Sequence, residues 1–303
     1  MLLHNTIHRW SKSTNSGTPL KRLPAQAGFL GKSRNPLYFS LTFNIIEVYK
    51  FVFLDKMDYT GSKAYINQGV FMELSGRLAA LAAYVPAGSV VADIGTDHAH
   101  LPVYLVKEGI CPRVIATDVK EGPFRSAAIK IKEHGLKDRI ELRLGDGLQV
   151  LKPGEAEVLV LAGMGGNTIR EILAAAPQVL KQCSRLVLQP MVDAGDLRFW
   201  LAANGWRLWD EQLVEEEGRI YVILAAVPGQ ESTEDRLYLE LGPRLIEKKD
   251  PLLAVYLEKM IDKYERILTG LSASRSRVAR EKRIMLIEKL ARMRELADAC
   301  KVQ

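Results

Sequence analysis

Apolar residues along this chain follow two periods, and the change between them divides it. From about residue 72 to 226, short apolar runs rich in β-branched residues recur at 90–94, 114–117, 140–144, 158–161 and 185–188. Runs apolar throughout predict strands covered on both faces. Helical patterns at 101–108, 123–133 and 167–175 separate most of them, and an amphipathic helix at 73–84, ended by Pro86 and Gly88, precedes them. Strands alternating with helices predict an α/β fold with a parallel sheet. After a helix at 197–203, two further strands, 206–213 and 220–226, flank Glu215-Glu216-Glu217-Gly218, which reads as a hairpin turn.

From Pro243 the period becomes heptad-like. Leu253, Leu257, Met260, Tyr264, Ile267 and Leu271 recur at spacings of four and three, and Leu286, Leu290, Met293, Ala297 and Cys300 form a second stripe beyond a turn at 270–276. The pattern predicts a C-terminal antiparallel, coiled-coil-like helical hairpin, packed either on itself or on the sheet. Residues 1–71 show neither period. The expected organisation is therefore an extension or misplaced start over 1–71, with Met57 and Met72 as alternative starts, a sheet domain over 72–242 and a helical domain over 243–303. The apolar stretch 37–54 is broken by Glu47 and Lys50, a poor membrane span.

The net charge of +6 suggests nucleic acid, but its distribution matters more. The first 36 residues hold six Lys/Arg and no acid; residues 72–242 hold 18 basic and 24 acidic side chains; residues 243–303 hold 15 and 9. A basic tail thus follows an acidic domain, which fits either an RNA-gripping tail or a solvated helix face. Cys111, Cys183 and Cys300 lie too far apart for a disulfide framework or a zinc site, so no metal is expected and a reducing cytoplasm fits.

Four segments carry candidate chemistry. In Val90-Val91-Ala92-Asp93-Ile94-Gly95-Thr96-Asp97-His98 a strand runs into a tight turn with one glycine, not the G-x-G-x-x-G that a pyrophosphate requires. A D-x-G turn suits S-adenosylmethionine, although an NAD site or a plain turn fits it as well. Asp118 ends the second strand, 25 residues after Asp93, where an acid can accept from ribose hydroxyls. Gly145-Asp146-Gly147-Leu148 follows the third strand, where a side chain can reach an adenine amino group. Each acid has an alternative role as a cap or turn residue. The fourth segment, Ala162-Gly163-Met164-Gly165-Gly166, leaves backbone open where cofactor and substrate should meet. It lacks the Asp/Asn-Pro-Pro-aromatic sequence that binds an exocyclic nitrogen, which argues against N6-adenine methylation. No cysteine stands where C5-pyrimidine methylation would need one.

Together these stretches, with Leu101-Pro102, Gly122-Pro123-Phe124 and Leu188-Gln189-Pro190, resemble the bacterial tRNA (adenine(22)-N1)-methyltransferase family from about Met72 to Cys300. His100 stands where that family usually has tyrosine, and Met191 where asparagine follows Gln-Pro. The resemblance implies a Rossmann-like class I methyltransferase sheet, S-adenosyl-L-methionine as cofactor, tRNA as partner and methylation of N1 of an adenine. Implied cofactor contacts are Asp93, Gly95, Thr96, His98, Leu101, Asp118, Val119, Asp146, Gly147, Leu148, Gly163, Met164 and Gly165. Asp97 is the candidate catalytic residue, because a carboxylate would stabilise the cationic product. Implied substrate contacts are Gly166 and Gln189, with Arg275, Arg277, Arg280, Lys282 and Arg283 as a phosphate grip. A monomer is favoured. A methyltransferase for another RNA base or a small molecule is the nearest alternative; an NAD-dependent oxidoreductase and a noncatalytic RNA-binding module are the others.

Overall fold

The computed structural model describes residues 74–231, 234–272 and 276–301, so residues 1–71 and Arg275 lie outside it. Seven strands form one sheet in the order β3-β2-β1-β4-β5-β7-β6. They are β1 (Val91–Ile94), β2 (Val114–Asp118), β3 (Ile140–Leu144), β4 (Val158–Met164), β5 (Arg185–Pro190), β6 (Trp206–Glu216) and β7 (Arg219–Pro228). The first five run parallel. β7 pairs antiparallel with both β5 and β6. Every strand in the sequence pattern is present, and the turn between β6 and β7 is the expected hairpin. Glu217 and Gly218 both take positive φ (52° and 72°), the primed-turn geometry that matches strand twist.

Strand order reverses between β1 and β4. In an open α/β sheet that switch point opens a crevice at the carboxyl ends of the strands, where ligands bind. Helix α1 (Gly76–Ala83) precedes the sheet; α2 (His100–Lys107) and α3 (Glu121–Glu133) follow β1 and β2, α4 (Gly166–Ala174) and the short α5 (Pro177–Leu180) follow β4, and α6 (Ala194–Ala203) follows β5. Each face of the sheet has its own apolar cluster.

Beyond β7 come two short helices, α7 (Arg236–Leu241) and α8 (Pro243–Glu247), then the hairpin of α9 (Leu253–Ser272) and α10 (Arg277–Lys301). Leu253, Leu257, Leu290 and Met293 of the hairpin belong to the same apolar cluster as Leu188 and Leu224 of the sheet. The seam on α9 departs from the heptad reading. Ile261 is buried, Leu268 packs against the core, and Ile267 is 44% exposed. A straight helix of 3.6 residues per turn drifts away from a strict 3.5-residue seam, so the inward stripe slips by one position. The α10 stripe falls as expected. Helices of four to six residues such as α5, α7 and α8 are too short to show a period. No helix among the described residues is long and apolar enough to cross a membrane.

Candidate active site

The crevice is bounded by the turn after β1 and the bulge that ends β4. Gly95 has φ +74°, a conformation that strains any other residue, and a Cβ there would lie 2.4 Å from the Met164 Cε and push that side chain aside. Gly95 and Thr96 donate their N–H groups to the Thr117 carbonyl (2.9 and 2.8 Å), tying the turn to β2. Asp97 and Ala99 follow with φ of 52° and 54°, a left-handed corner that aims the chain into α2.

Two buried carboxylates sit at this corner. Asp118 accepts from the Asp97 N–H at 3.1 Å and the Lys120 N–H at 2.9 Å, one on each oxygen. Each oxygen retains a lone pair for a ligand hydroxyl. Asp93 lies deeper and forms no ion pair among the described residues. Burial pushes its carboxyl up to about 6, and the charge of Asp118 adds to the rise. The Thr96 side chain opposes the rise, and no counter-charge among the described residues offsets the burial.

The predicted residues divide by position. Gly95, Thr96, Asp97, His98, Asp118 and Val119 converge on the β1 and β2 ends. Val119 is 59% exposed, an apolar side chain held open to solvent beside the crevice. Asp97 and His98 are exposed and face each other, with 3.6 Å between His98 Nε2 and Asp97 Oδ1. Asp146 and Gly147 line a cleft of about 270 Å³ with Thr168, Glu171 and Ile172. Gly147 does not leave room for a ring, since a Cβ there would meet Ile172 at 2.9 Å. Leu101 and Leu148 are core residues, 3% and 1% exposed, and Leu148 also borders that cleft.

Two expected base contacts are also corrected. Gly166 is buried at the start of α4, where a Cβ would meet the Asp193 carbonyl oxygen at 2.5 Å; its size serves close packing on the loop after β5. Gln189 is fully buried. Its amide oxygen accepts from Arg77 Nη1 at 2.7 Å and from the Gly163 N–H at 3.1 Å. It holds the bulge from beneath instead of facing a base. Gly163, φ +75°, is the bulge itself, where the register of β4 on β5 shifts between Ala162 and Met164.

Arg77 on α1 carried no signal in the sequence, because an arginine in an amphipathic helix reads as its solvated face. A groove of about 610 Å³ leads from the loop after β5 along α9, with Met191, Asp193, Lys259, Met260, Lys263 and Tyr264 on its walls. On the hairpin, Arg277, Arg280 and Lys282 are exposed. Arg283 donates to the carbonyls of Leu271 and Ser272 (3.4 and 3.3 Å), closing the end of α9, a structural role that the expected phosphate grip did not include. No group of His, Cys, Asp and Glu among the described residues could hold a metal ion.

Residues 74–224 match the methyltransferase domain family model. The tRNA (adenine(22)-N(1))-methyltransferase of Bacillus subtilis strain 168 is 41% identical over 193 residues, covering 62% of this chain and 80% of the relative. The crystal structure of the B. subtilis m1A22 tRNA methyltransferase superposes with a TM-score of 0.70 at 33% identity, covering 75% of this chain and 99% of that one. Streptococcus pneumoniae Sp1610, solved in complex with S-adenosyl-L-methionine, gives 0.67 at 34% identity, covering 74% and 100%. With four-fifths of its relative matched at this identity, the chain belongs to the tRNA (adenine(22)-N1)-methyltransferase family.

Proposed function

We propose that this protein transfers a methyl group from S-adenosyl-L-methionine to N1 of adenine 22 in tRNA. The observation that carries the reading is Asp93, a buried carboxylate without an ion-pair partner among the described residues, beside the left-handed turn at Gly95. Asp93 takes the cofactor's ammonium end. Asp118 accepts from the ribose hydroxyls while its backbone donors hold the carboxylate still. Val119 and Asp146 flank the adenine. Bound here, the cofactor supplies an electrophilic methyl group on a sulfonium.

The chain's own task is alignment and charge. N1 of adenine has an in-plane lone pair, so no base need remove a proton before attack. Alignment of nucleophile and methyl group is then the main contribution, and it can be worth several kcal/mol. The methylated ring carries a positive charge, and Asp97, exposed at the crevice rim, would offset it. N1 lies on the Watson–Crick edge, so the base must leave its pair and lie in a pocket; Met164 and the Gly163–Gly165 backbone form its wall. The decisive experiment incubates the protein with labelled S-adenosylmethionine and an unmodified tRNA transcript, followed by nucleoside analysis. N1-methyladenosine is expected, and it should vanish when adenine 22 is changed to guanine. Label in another nucleoside would reject the assignment.

Lys259 and Lys263 in the groove, with Arg277, Arg280 and Lys282 beyond it, give the RNA backbone a basic path that the acidic sheet domain lacks. Replacing Arg277, Arg280 and Lys282 by Gln should weaken tRNA binding and flatten its salt dependence, by roughly 0.7–0.9 log units per log unit of salt for each phosphate no longer neutralised. Cofactor affinity should not change. Filter binding at several salt concentrations measures this, and wild-type affinity throughout would assign these residues to solubility alone.

A further inference from the structure

We propose that Arg77 is a positioning residue for methyl transfer, acting through Gln189 on the Gly163 bulge; the proposal rests on the function assigned above. Arg77 is the only charged residue in α1, whose sequence is otherwise Gly, Leu and Ala. Its placement is tightly determined. The backbone N–H donates to Glu216 Oε2 at 2.8 Å, the guanidinium lies 5.3 Å above the centre of the Tyr221 ring, and Nη1 donates to Gln189 Oε1 at 2.7 Å. Anchored at the β6–β7 hairpin, it reaches across β7 to the end of β5.

The shared acceptor gives this arrangement a functional reading. Gln189 Oε1 receives both Arg77 and the Gly163 N–H, so one buried oxygen joins α1, β4 and β5. Gly163 holds a left-handed backbone at the only register shift between β4 and β5. The next residue, Met164, rests its methyl group against Gly95 in the cofactor turn, and its carbonyl accepts the Met191 N–H at 2.8 Å. A displacement of the Gln189 amide would therefore move the bulge, and with it the wall between cofactor and base. Reaction geometry is sensitive at this scale: misplacement by about 1 Å can cost on the order of 100-fold in rate. The guanidinium also pairs loosely with Glu216, 3.9 Å from Nε to Oε1, while that Nε is buried without a hydrogen bond and Nη1 is the group presented to Gln189.

The test is steady-state methylation of tRNA by Arg77→Gln, Arg77→Lys, Gln189→Leu and the double variant R77Q/Q189L, with calorimetric cofactor binding and thermal melts alongside. For Arg77→Gln we expect kcat to fall by about 10- to 100-fold. KM for tRNA and Kd for S-adenosylmethionine should stay within about threefold if Arg77 acts through Gln189 and not on a ligand. Arg77→Lys keeps one donor and should recover part of kcat. The double variant should be no slower than the slower single one, since both act on one oxygen. A wild-type kcat in Arg77→Gln, losses that follow cofactor affinity or melting temperature, or additive losses would each overturn the proposal. If Arg77→Gln fails to fold, Gln189→Leu decides by the same measurements, as it leaves Arg77 with Glu216. A wild-type protein inactive on tRNA would instead strike the functional assignment.

Discussion

Asp93→Asn should produce a protein that is more stable yet barely binds its cofactor. The Asp93 carboxyl titrates at about 6, against an ordinary 3.8. The folded state therefore binds more protons than the unfolded chain between those two pH values. Stability falls as pH rises through that window, and above it the fold carries the full cost of a buried charge, up to about 3 kcal/mol. Asparagine has the same shape and no charge, so the empty variant should melt higher at neutral pH. Cofactor binding moves the other way. A charged hydrogen bond to the ammonium group is worth about 1.5–3 kcal/mol, so Kd should rise roughly 10- to 150-fold. In the wild type the ligand's positive charge favours ionised Asp93, so binding releases a proton below about pH 6, and affinity weakens as pH falls through that value. In Asp93→Asn this pH dependence should disappear. Calorimetry from pH 5 to 8 with parallel melts measures all three effects. Equal affinity in both proteins would remove Asp93 from the cofactor site. A lower melting temperature for the empty variant would mean that the carboxylate has a counter-charge and is not waiting for one.

The strands were legible because each is apolar throughout, and the corner at the ends of β1 and β2 because turn glycines and acids keep fixed places relative to strand ends. Asp93, Gly95 and Asp118 meet where that rule puts them. What stayed hidden depends on contacts between distant segments. Gln189 follows a strand and reads as exposed, yet the bulge at Gly163 and Arg77 from α1, 112 residues earlier in sequence, close over it. Gly147 and Gly166 were legible as glycines that something must approach closely. Sequence could not say that the neighbours are Ile172 and the Asp193 backbone instead of a ligand. Leu101 sits next to site residues along the chain, but one residue's shift on a helix swings a side chain into the core. Arg283 reads as one more basic residue of a cluster, and its role depends on where α9 happens to end.

The largest loss of stability is expected at Glu211, which joins the sheet to the segments that carry the hairpin. Arg198 of α6 and Glu211 of β6 are both fully buried, with Arg198 Nε 2.6 Å from Glu211 Oε1. Arg198 Nη1 donates to the Glu240 carbonyl at the end of α7 (2.6 Å), and Glu211 Oε2 accepts the Arg244 N–H of α8 (2.9 Å). One carboxylate thus fixes α6, β6 and α8 relative to each other. Removing one member of such a pair leaves the other charged and dry, which costs about 3–5 kcal/mol; replacing both with apolar residues of similar volume is often close to neutral. Glu211→Leu should therefore lose about 3–5 kcal/mol in urea unfolding. Arg198→Met combined with Glu211→Leu should recover part of it, the remainder being the cost of the Arg244 N–H left without its acceptor and the Glu240 carbonyl left without its donor. If the double variant is no more stable than Glu211→Leu, the loss comes from the missing acceptor and not from the stranded arginine. Because α8 leads directly into α9, the single variant should also open the hairpin before the sheet. Hydrogen exchange would show this as reduced protection in α9 and α10 while β1, β2 and β4 stay protected. In that state the cofactor site would persist without the basic path for RNA, so S-adenosylmethionine should still bind while tRNA methylation falls.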